Sequence, residues 1–438
     1  MLDIKFIREN AALIKESQKK RGMDENEIDR VLDLDKKWRE IKQENDDLRA
    51  ERNKISEKIN EAKKQGKKID EFVAKAKQIP ERLKSNDEAL ALIEQEKTKI
   101  LENIPNIVDK SVPVGDATKN KVLETIGKPT KPKFALKGHE EILNALDLLD
   151  MERAAKVAGA RFYYLKGDLV RLNLAIIHYA MEHLSKKGFT LMHPPFMIKR
   201  ESLKGAIPLT AFEEMIYKID GEDLYLIGTA EHALNAYHMN EVINVDKPIR
   251  FAGFSPCFRK EAGSHGKDTK GIFRIHQFEK VEQFVFCKPE EAEKEFKLIL
   301  DNTKELFKGL GIPFRTMLLS SQDMGRVPTK TIDVEGYYPS QGQYRELASC
   351  SNCTDYQSRR SNIKYDSKGE RKYVYTLNNT AIATERMITC IIDNYQKADG
   401  SIEVPKALQK YMGIKVIKAQ KVAKEEKKGK PKKGKKKK

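Results

Sequence analysis

Residues 254–286 read FSPCFRKEAGSHGKDTKGIFRIHQFEKVEQFVF. Two strand-like runs flank a loop that carries Gly263, Gly266 and Gly271. Period-two alternation puts Arg259 and Glu261 on one face of the first run. It puts Arg274, His276, Phe278, Lys280 and Glu282 on one face of the second. A hairpin of this kind displays two guanidinium groups, an aromatic ring and two carboxylates on one surface. That set suits a nucleotide: guanidinium for phosphate, ring for base, carboxylate for amine. The bland alternative is a salt-bridged exposed sheet face.

Three further stretches carry polar residues at the ends of apolar runs. In LYLIGTAEHAL, residues 224–234, Tyr225, Ile227, Thr229 and Glu231 alternate onto one strand face, ending in a hydroxyl and a carboxylate. In YRELASCSNCTDYQSRR, residues 344–360, Glu346 and Ser349 offer oxygen ligands to a hard cation such as Mg²⁺. Their spacing places them on opposite faces of a regular strand, so a bulge or turn is required. Cys350 and Cys353 form a lone CxxC, better read as two buried thiols than as half a zinc site. In YVYTLNNTAIATERMITCIIDNYQ, residues 373–396, a strand runs to Asn378 and Thr380 is a candidate helix N-cap. Ala383, Met387 and Ile391 then form a core stripe, and Arg386 leaves it early in the helix.

Around these stretches the texture from Ser111 onward is α+β, with short alternating runs, interspersed helices and an antiparallel sheet. Asp168 to Lys187 reads as a helix closed by Gly188, and Pro194-Pro195 interrupts the strand-like FTLMHPPFMI. Neither GxGxxG nor GxxxxGK[ST] occurs, which argues against a Rossmann or P-loop site.

The N-terminal part is of another kind. Residues 1–22 read as a short amphipathic helix with Phe6, Ile7, Ala11 and Ile14 on one face. Val31, Leu34, Trp38, Ile41, Asn45, Leu48, Arg52, Ile55, Ile59 and Ala62 then follow at spacings of three and four. A second series runs Phe72, Ala76, Ile79, Leu83, Asn86, Leu90, Ile93, Lys97 and Ile100. Two matched heptad seams joined at Gly66 predict an antiparallel coiled-coil hairpin over about 27–101, roughly 50 Å long. Pro80 should kink the second helix or leave a carbonyl unpaired.

The 438 residues carry a formal net charge of +17. The last 24, Lys415 to Lys438, hold 13 Lys and 2 Glu, a net of +11, and read as a disordered tail. The hairpin is polarised: residues 24–48 have net −5, and residues 49–84, its distal half, have net +6. Positive charge collected at the tip suits contact with a phosphate backbone. Arg49, Arg52, Lys54, Lys58, Lys63, Lys64, Lys67 and Lys68 are the candidate contacts. The apolar runs are too short to cross a membrane, and five Cys make no disulfide framework, pointing to a reducing, cytoplasmic setting.

Taken in order, these elements resemble the seryl-tRNA synthetases, a family of class II aminoacyl-tRNA synthetases, from Met1 to about Gly413. FRKEAG…FRIHQFEKVEQ is similar to motif 2 of that class and LNNTAIATERM to motif 3. GTAE and ELASCSNCTDYQSRR are similar to signatures of the seryl branch, and the hairpin resembles the family's tRNA-binding arm. The helix, strand and Pro194-Pro195 resemble motif 1, at the dimer interface.

The resemblance implies an N-terminal domain over 1–110, a catalytic domain over 111–414 built on an antiparallel sheet flanked by helices, and the tail over 415–438. It implies a homodimeric enzyme that activates L-serine with ATP and Mg²⁺ to seryl-adenylate and transfers serine to the 3′ end of tRNA(Ser), with tRNA(Sec) left open. Arg259 would hold the α-phosphate, and Glu261 the adenine side of ATP. Phe278 would stack on the adenine. Arg386 would hold the γ-phosphate, and Arg274 would lie near the phosphates. Lys260, Ile275, Leu347 and Ala348 would complete the ATP site. Glu346 and Ser349 would ligate Mg²⁺. Thr229, Ala230, Glu231, Arg259, Glu282, Asn378 and Thr380 would line the serine pocket, Glu282 taking the ammonium. The loop 262–273 would meet the tRNA acceptor end.

Overall fold

Two long helices, α3 (Asn26–Lys64) and α4 (Asp70–Asn103), pack antiparallel as the hairpin. The chain is described by a computed structural model over residues 2–129, 132–209, 213–261 and 271–418. Gly66 makes the turn at φ +64°, a conformation open to glycine at no steric cost. Two of the polar seam residues, Asn45 and Asn86, pair with each other. Asn86 donates to the Asn45 side-chain oxygen at 2.9 Å, and Asn45 donates to Asp87 at 2.9 Å. Lys97, buried, sits over the Trp38 ring at 4.8 Å. Arg52 leaves the seam for solvent.

Helix α4 continues through Pro80 without a break. Pro80 lies on the exposed side, where water can take the carbonyl that the ring deprives of its amide partner.

The N-terminal segment forms two helices where one was expected: α1 (Ile4–Glu9) and α2 (Ala11–Lys20). Asn10 breaks them at φ −129°, its side chain donating to the Phe6 carbonyl at 3.0 Å. Side chains at this spacing still face one way, so Ile7 and Ile14 are buried with Ile28, Val31, Ile100 and Ile104. Tyr356 and Cys353 of the main body close this cluster. Arg21 clamps it, donating to the carbonyls of Asn106, Gly325 and Pro328 at 3.1, 2.8 and 2.7 Å.

The main body holds an eight-stranded sheet. Its strands are β1 (Lys121–Ile126), β2 (Thr190–Met192), β3 (Ile249–Phe258), β4 (Gln277–Cys287), β5 (Phe314–Leu318), β6 (Lys330–Tyr338), β7 (Gln343–Thr354) and β8 (Tyr375–Ala383). They lie in the order β1-β5-β6-β7-β8-β4-β3-β2. Every pair is antiparallel except β2 with β3. One face is covered by α5 (Asp168–Lys186), α7 (Ala292–Gly309) and α9 (Thr384–Tyr395), whose apolar stripes share the main core. The remaining helices used below are α6 (Ala230–Ala236) and α8 (Tyr356–Ser361).

The body extends past the expected tail boundary. Val416–Ile417 pairs with Ile402–Glu403, and Ile417 is buried. Charge counting assigned these residues to the tail because Lys415 and Lys418 flank them. Residues 419–438, the rest of the expected tail, lie outside the described residues.

Candidate active site

One cavity of about 600 Å³ opens on the sheet face, within the range of small-molecule sites. Strands β4, β6, β7 and β8 form its floor, with residues 259–261 and 271–275, α6 and α9 at its rim. Arg259, Glu261, Arg274, Ile275, Phe278, Glu346, Leu347, Ala348, Ser349 and Arg386 all line it. So do Thr229, Glu231, Glu282, Asn378 and Thr380. Two expected residues do not. Lys260 turns outward, its ammonium 5.6 Å from the Tyr217 ring, and Ala230 is buried beneath α6 against Gly253. The glycine-bearing loop falls mostly on 262–270, outside the described residues.

The arginine-rich half is built by the hairpin of β3 and β4. Antiparallel register sets Phe278 opposite Cys257 and leaves Arg259 just beyond the strand end. The Arg259 guanidinium lies 5.2 Å over the Phe278 ring and donates from Nε to the Gly228 carbonyl at 3.1 Å. Glu261 adopts φ +50°, which turns its carboxylate back to accept from Arg274 at 2.7 Å. Arg386, in the first turn of α9, pairs with Glu346 and lies 5.1 Å from the Phe273 ring.

The spacing problem at Glu346 and Ser349 is solved by a bulge. Val334 pairs with Ala348 and Glu335 with Glu346, so Leu347 is the extra residue. Gly336, which pairs with Arg345, leaves room for the Leu347 side chain, since a Cβ there would meet it at 2.4 Å. The bulge brings Glu346 and Ser349 to the face that also shows Asp333 and Glu335 of β6. Asp333 pairs directly with Ser349, and its buried Oδ1 has no hydrogen-bond partner. Burial and the neighbouring Glu346 hold the Asp333 carboxyl well above its ordinary range. Hard oxygen donors with an orphaned buried oxygen fit Mg²⁺. Among the described residues there is no cluster of three or more His, Cys, Asp and Glu suited to a metal. A cation here would therefore draw the rest of its shell from phosphate and water. Asp333 escapes sequence reading because it reaches this place through cross-strand register, not through spacing.

The deeper half is a carboxylate pocket. Strand-like alternation was expected through Glu231, but the strand ends at Leu226. Thr229 caps α6, accepting from the Glu231 amide at 3.2 Å, so Glu231 enters from the first turn of a helix. Its Oε1 accepts from Gln357 at 2.7 Å and from Asn378 at 3.0 Å. Burial, and then Glu282, raise its pKa to about 7. Glu282 pairs with Lys280 and accepts from Thr380 at 3.3 Å. Thr380 is thus a strand residue, not a helix cap: β8 runs to Ala383 and α9 begins at Thr384 without a side-chain cap. Lys280, Gln357 and Asp333 are site residues that motif reading missed. Lys280 alone had a signal, its place on the Glu282 face.

His232 and the cysteines other than Cys353 lie outside the cavity lining. His232 is buried with its pKa pushed down to about 3 by desolvation and by Arg259 and Lys280, and its Nδ1 faces the Gly228 amide. All five cysteines are free and buried. Cys350 faces the Phe296 carbonyl of α7, whereas Cys353 accepts from Asn378 in the cavity, so the CxxC pair diverges.

On the arm, Arg52, Lys54, Lys58, Lys63, Lys64, Lys67 and Lys68 are exposed, and Arg49 is half-buried beside Asp46.

Known proteins share this arrangement. Residues 1–108 match the family described as Seryl-tRNA synthetase N-terminal domain, and residues 214–395 match the tRNA synthetase class II core domain (G, H, P, S and T). A serine--tRNA ligase of Cenarchaeum symbiosum is 48% identical over 421 residues, covering 95% of this chain and 100% of its own. The crystal structure of seryl-tRNA synthetase from Pyrococcus horikoshii complexed with ATP superposes with a TM-score of 0.89 at 43% identity, over 96% of this chain and 100% of that one. The cytoplasmic serine-tRNA ligase of Naegleria fowleri, in complex with AMP, gives 0.84 at 35% identity, over 96% and 99%. With near-complete coverage in both directions and both halves matched, the chain belongs to the seryl-tRNA synthetase family of class II aminoacyl-tRNA ligases.

Proposed function

We propose that the protein activates L-serine with ATP to seryl-adenylate, releases diphosphate, and transfers serine to the 3′ end of tRNA(Ser). The observation that carries this reading is the meeting of two chemistries in one cavity. Arg259, Phe278, Glu261 and Arg386 offer what a nucleotide needs, and Glu231, Glu282, Asn378 and Thr380 offer what a small zwitterion needs.

The serine carboxylate is already an anion, so its attack on the α-phosphorus requires no protein base. The work left to the protein is alignment and charge neutralisation, by Arg259 at the α-phosphate and Arg386 at the γ-phosphate. Phe278 takes the adenine. Mg²⁺, held by Glu346 and Ser349 beside Asp333, would screen phosphate charge. Glu282 takes the serine ammonium. Rejection of alanine and glycine follows from leaving buried polar groups unpaired. The basic arm tip holds the tRNA, reaching across a homodimer to the partner's site. We further assign the enzyme to the cytoplasm.

Serine-dependent ATP–pyrophosphate exchange by the purified chain tests the first step, and charging of total tRNA tests the second. Exchange equal with alanine and serine would sink the amino-acid assignment. Exchange without charging would confine the protein to adenylate formation.

A further inference from the structure

The serine pocket has a support that comes from outside the catalytic sheet. Strand β7 carries a second irregularity, between Asn352 and Thr354, where Cys353 is the extra residue against β8. Thr354 follows it at φ +48°. For a β-branched side chain this is a strained backbone, one that surroundings must hold in place. Its own side chain helps little, since its hydroxyl donates to the adjacent Cys353 carbonyl at 2.7 Å.

Within the strand, Asn352 Oδ1 accepts from the Thr354 amide at 2.9 Å, and from outside the sheet the holding group is Asn106, which follows α4 at the base of the arm. Its side chain is buried, and its Nδ2 reaches the carbonyls of Cys353 at 2.9 Å and Val327 at 3.0 Å and the Thr354 hydroxyl at 3.0 Å. Asn106 is itself fixed. Its Oδ1 accepts from the Ile107 amide at 2.8 Å, its backbone N–H donates to Arg326 at 2.9 Å, and its carbonyl accepts from Arg21. On the other side of the bulge, the Cys353 sulfur lines the cavity and accepts from Asn378 at 3.5 Å. Asn378 in turn donates to Glu231. One polar chain thus runs from the arm base to the pocket carboxylate: Asn106, the Cys353–Thr354 bulge, Asn378, Glu231.

We propose that Asn106 is a positioning residue for the amino-acid site, holding the left-handed bulge at Thr354 so that Cys353 and Asn378 meet Glu231 in register. It touches no substrate. The inference rests on the serine-activation reading above. It deepens that reading by making the serine half of the site depend on the N-terminal domain, while the ATP half does not.

The test is pyrophosphate exchange by the full chain, with KM measured separately for serine and ATP. Asn106→Ala should raise the serine KM about tenfold, the size of one lost buried hydrogen bond, and leave the ATP KM within about twofold. Thr354→Gly tolerates φ +48° by itself, so the double variant should return the serine KM to within about threefold of wild type. A purely structural role would move both constants and the melting temperature together and would not respond to glycine at 354. An unchanged serine KM in N106A, or equal rises in both constants, overturns the proposal. Should N106A alone fail to fold, Asn106→Ala in the T354G background decides: no further rise supports the proposal, and a tenfold rise overturns it. Wild-type protein that shows no serine-dependent exchange would sink the serine-activation reading itself, before any variant is compared.

Discussion

Arg386 and Glu346 form an ion pair at 3.1 Å across the mouth of the proposed nucleotide half-site. One is the proposed cation for a terminal phosphate, the other the proposed anion for its metal. Each keeps the other compensated and turned toward the cavity, so neither must cross from solvent when ATP and Mg²⁺ arrive.

Removal of either partner should therefore act on ATP and not on serine. Arg386→Ala is expected to lower the exchange rate by roughly 10²–10³-fold, as for loss of a group that stabilises transferring phosphoryl charge. Glu346→Gln should raise the Mg²⁺ concentration needed for half-maximal exchange. An equal loss of serine affinity in both variants would refute the division of the cavity.

Glu231 predicts a pH dependence of serine binding. Its pKa near 7 in the free protein means that it loses its proton between pH 6 and 8. The charged and titratable groups facing it are Glu282, Lys280, Arg259 and the Cys353 thiol. An ammonium entering beside Glu282 favours the ionised form of Glu231. The serine KM should then fall as pH rises through 7, and Glu231→Gln should flatten the profile. A wild-type KM that is constant from pH 6 to 8 would contradict this.

Glu385 makes a prediction about stability. It is buried in the first turn of α9, where desolvation raises its pKa to about 7 even though Tyr163, the Glu279 amide and Thr384 all donate to it. In the unfolded chain the same carboxyl titrates near its ordinary value of about 4.3. Between these limits the folded state holds a proton that the unfolded state has released, so stability falls as pH rises from about 4.5 to 7. At about 1.4 kcal/mol per pH unit, the loss is on the order of 3 kcal/mol. Urea denaturation at pH 5 and 8 should show this difference, and Glu385→Gln should reduce it.

The arm should contribute to charging through phosphate contacts and contribute nothing to activation. Replacing Lys63, Lys64, Lys67 and Lys68 by Gln is expected to weaken tRNA binding and to flatten its dependence on salt by a slope of about 3, near 0.7–0.9 per contact. Pyrophosphate exchange should be unchanged. Deletion of residues 40–90 should likewise spare exchange and abolish charging. A variant with normal charging and an unaltered salt slope would remove the arm from tRNA recognition.

How legible the molecule is in its sequence depends on how locally each feature is encoded. The hairpin could be read because its seams repeat every few residues, and even the polar exceptions Asn45 and Asn86 sit where the seams predict. Phe278 and Glu282 could be read because a regular strand alternates. Reading failed where geometry departs from the repeat. The strand ends early, at Leu226, and Thr229 caps a helix, which moves Glu231 from a sheet face to a helix turn. Thr380 has the chemistry of a cap but lies four residues before the helix starts. Asp333 and Gln357 join the site through strand register and helix docking, which involve partners distant in the chain. The need for a bulge near Glu346 was readable, but that Leu347 forms it is set by register with the next strand, where Gly336 leaves room for its side chain.

The amide pair Asn45 and Asn86 also calibrates a length. If α4 slid by one heptad against α3, Asn45 would face Ile79 or Ile93 and Asn86 would face Trp38 or Arg52, so the two buried amides would lose each other as partners. Such a slip would carry the basic turn about 10 Å nearer to or farther from the cavity. By making intermediate alignments costly, this single polar layer turns the hairpin into a graduated ruler. The distance it marks off, from the basic tip to the cavity, is the dimension by which the proposed tRNA partner would be told from one of another shape.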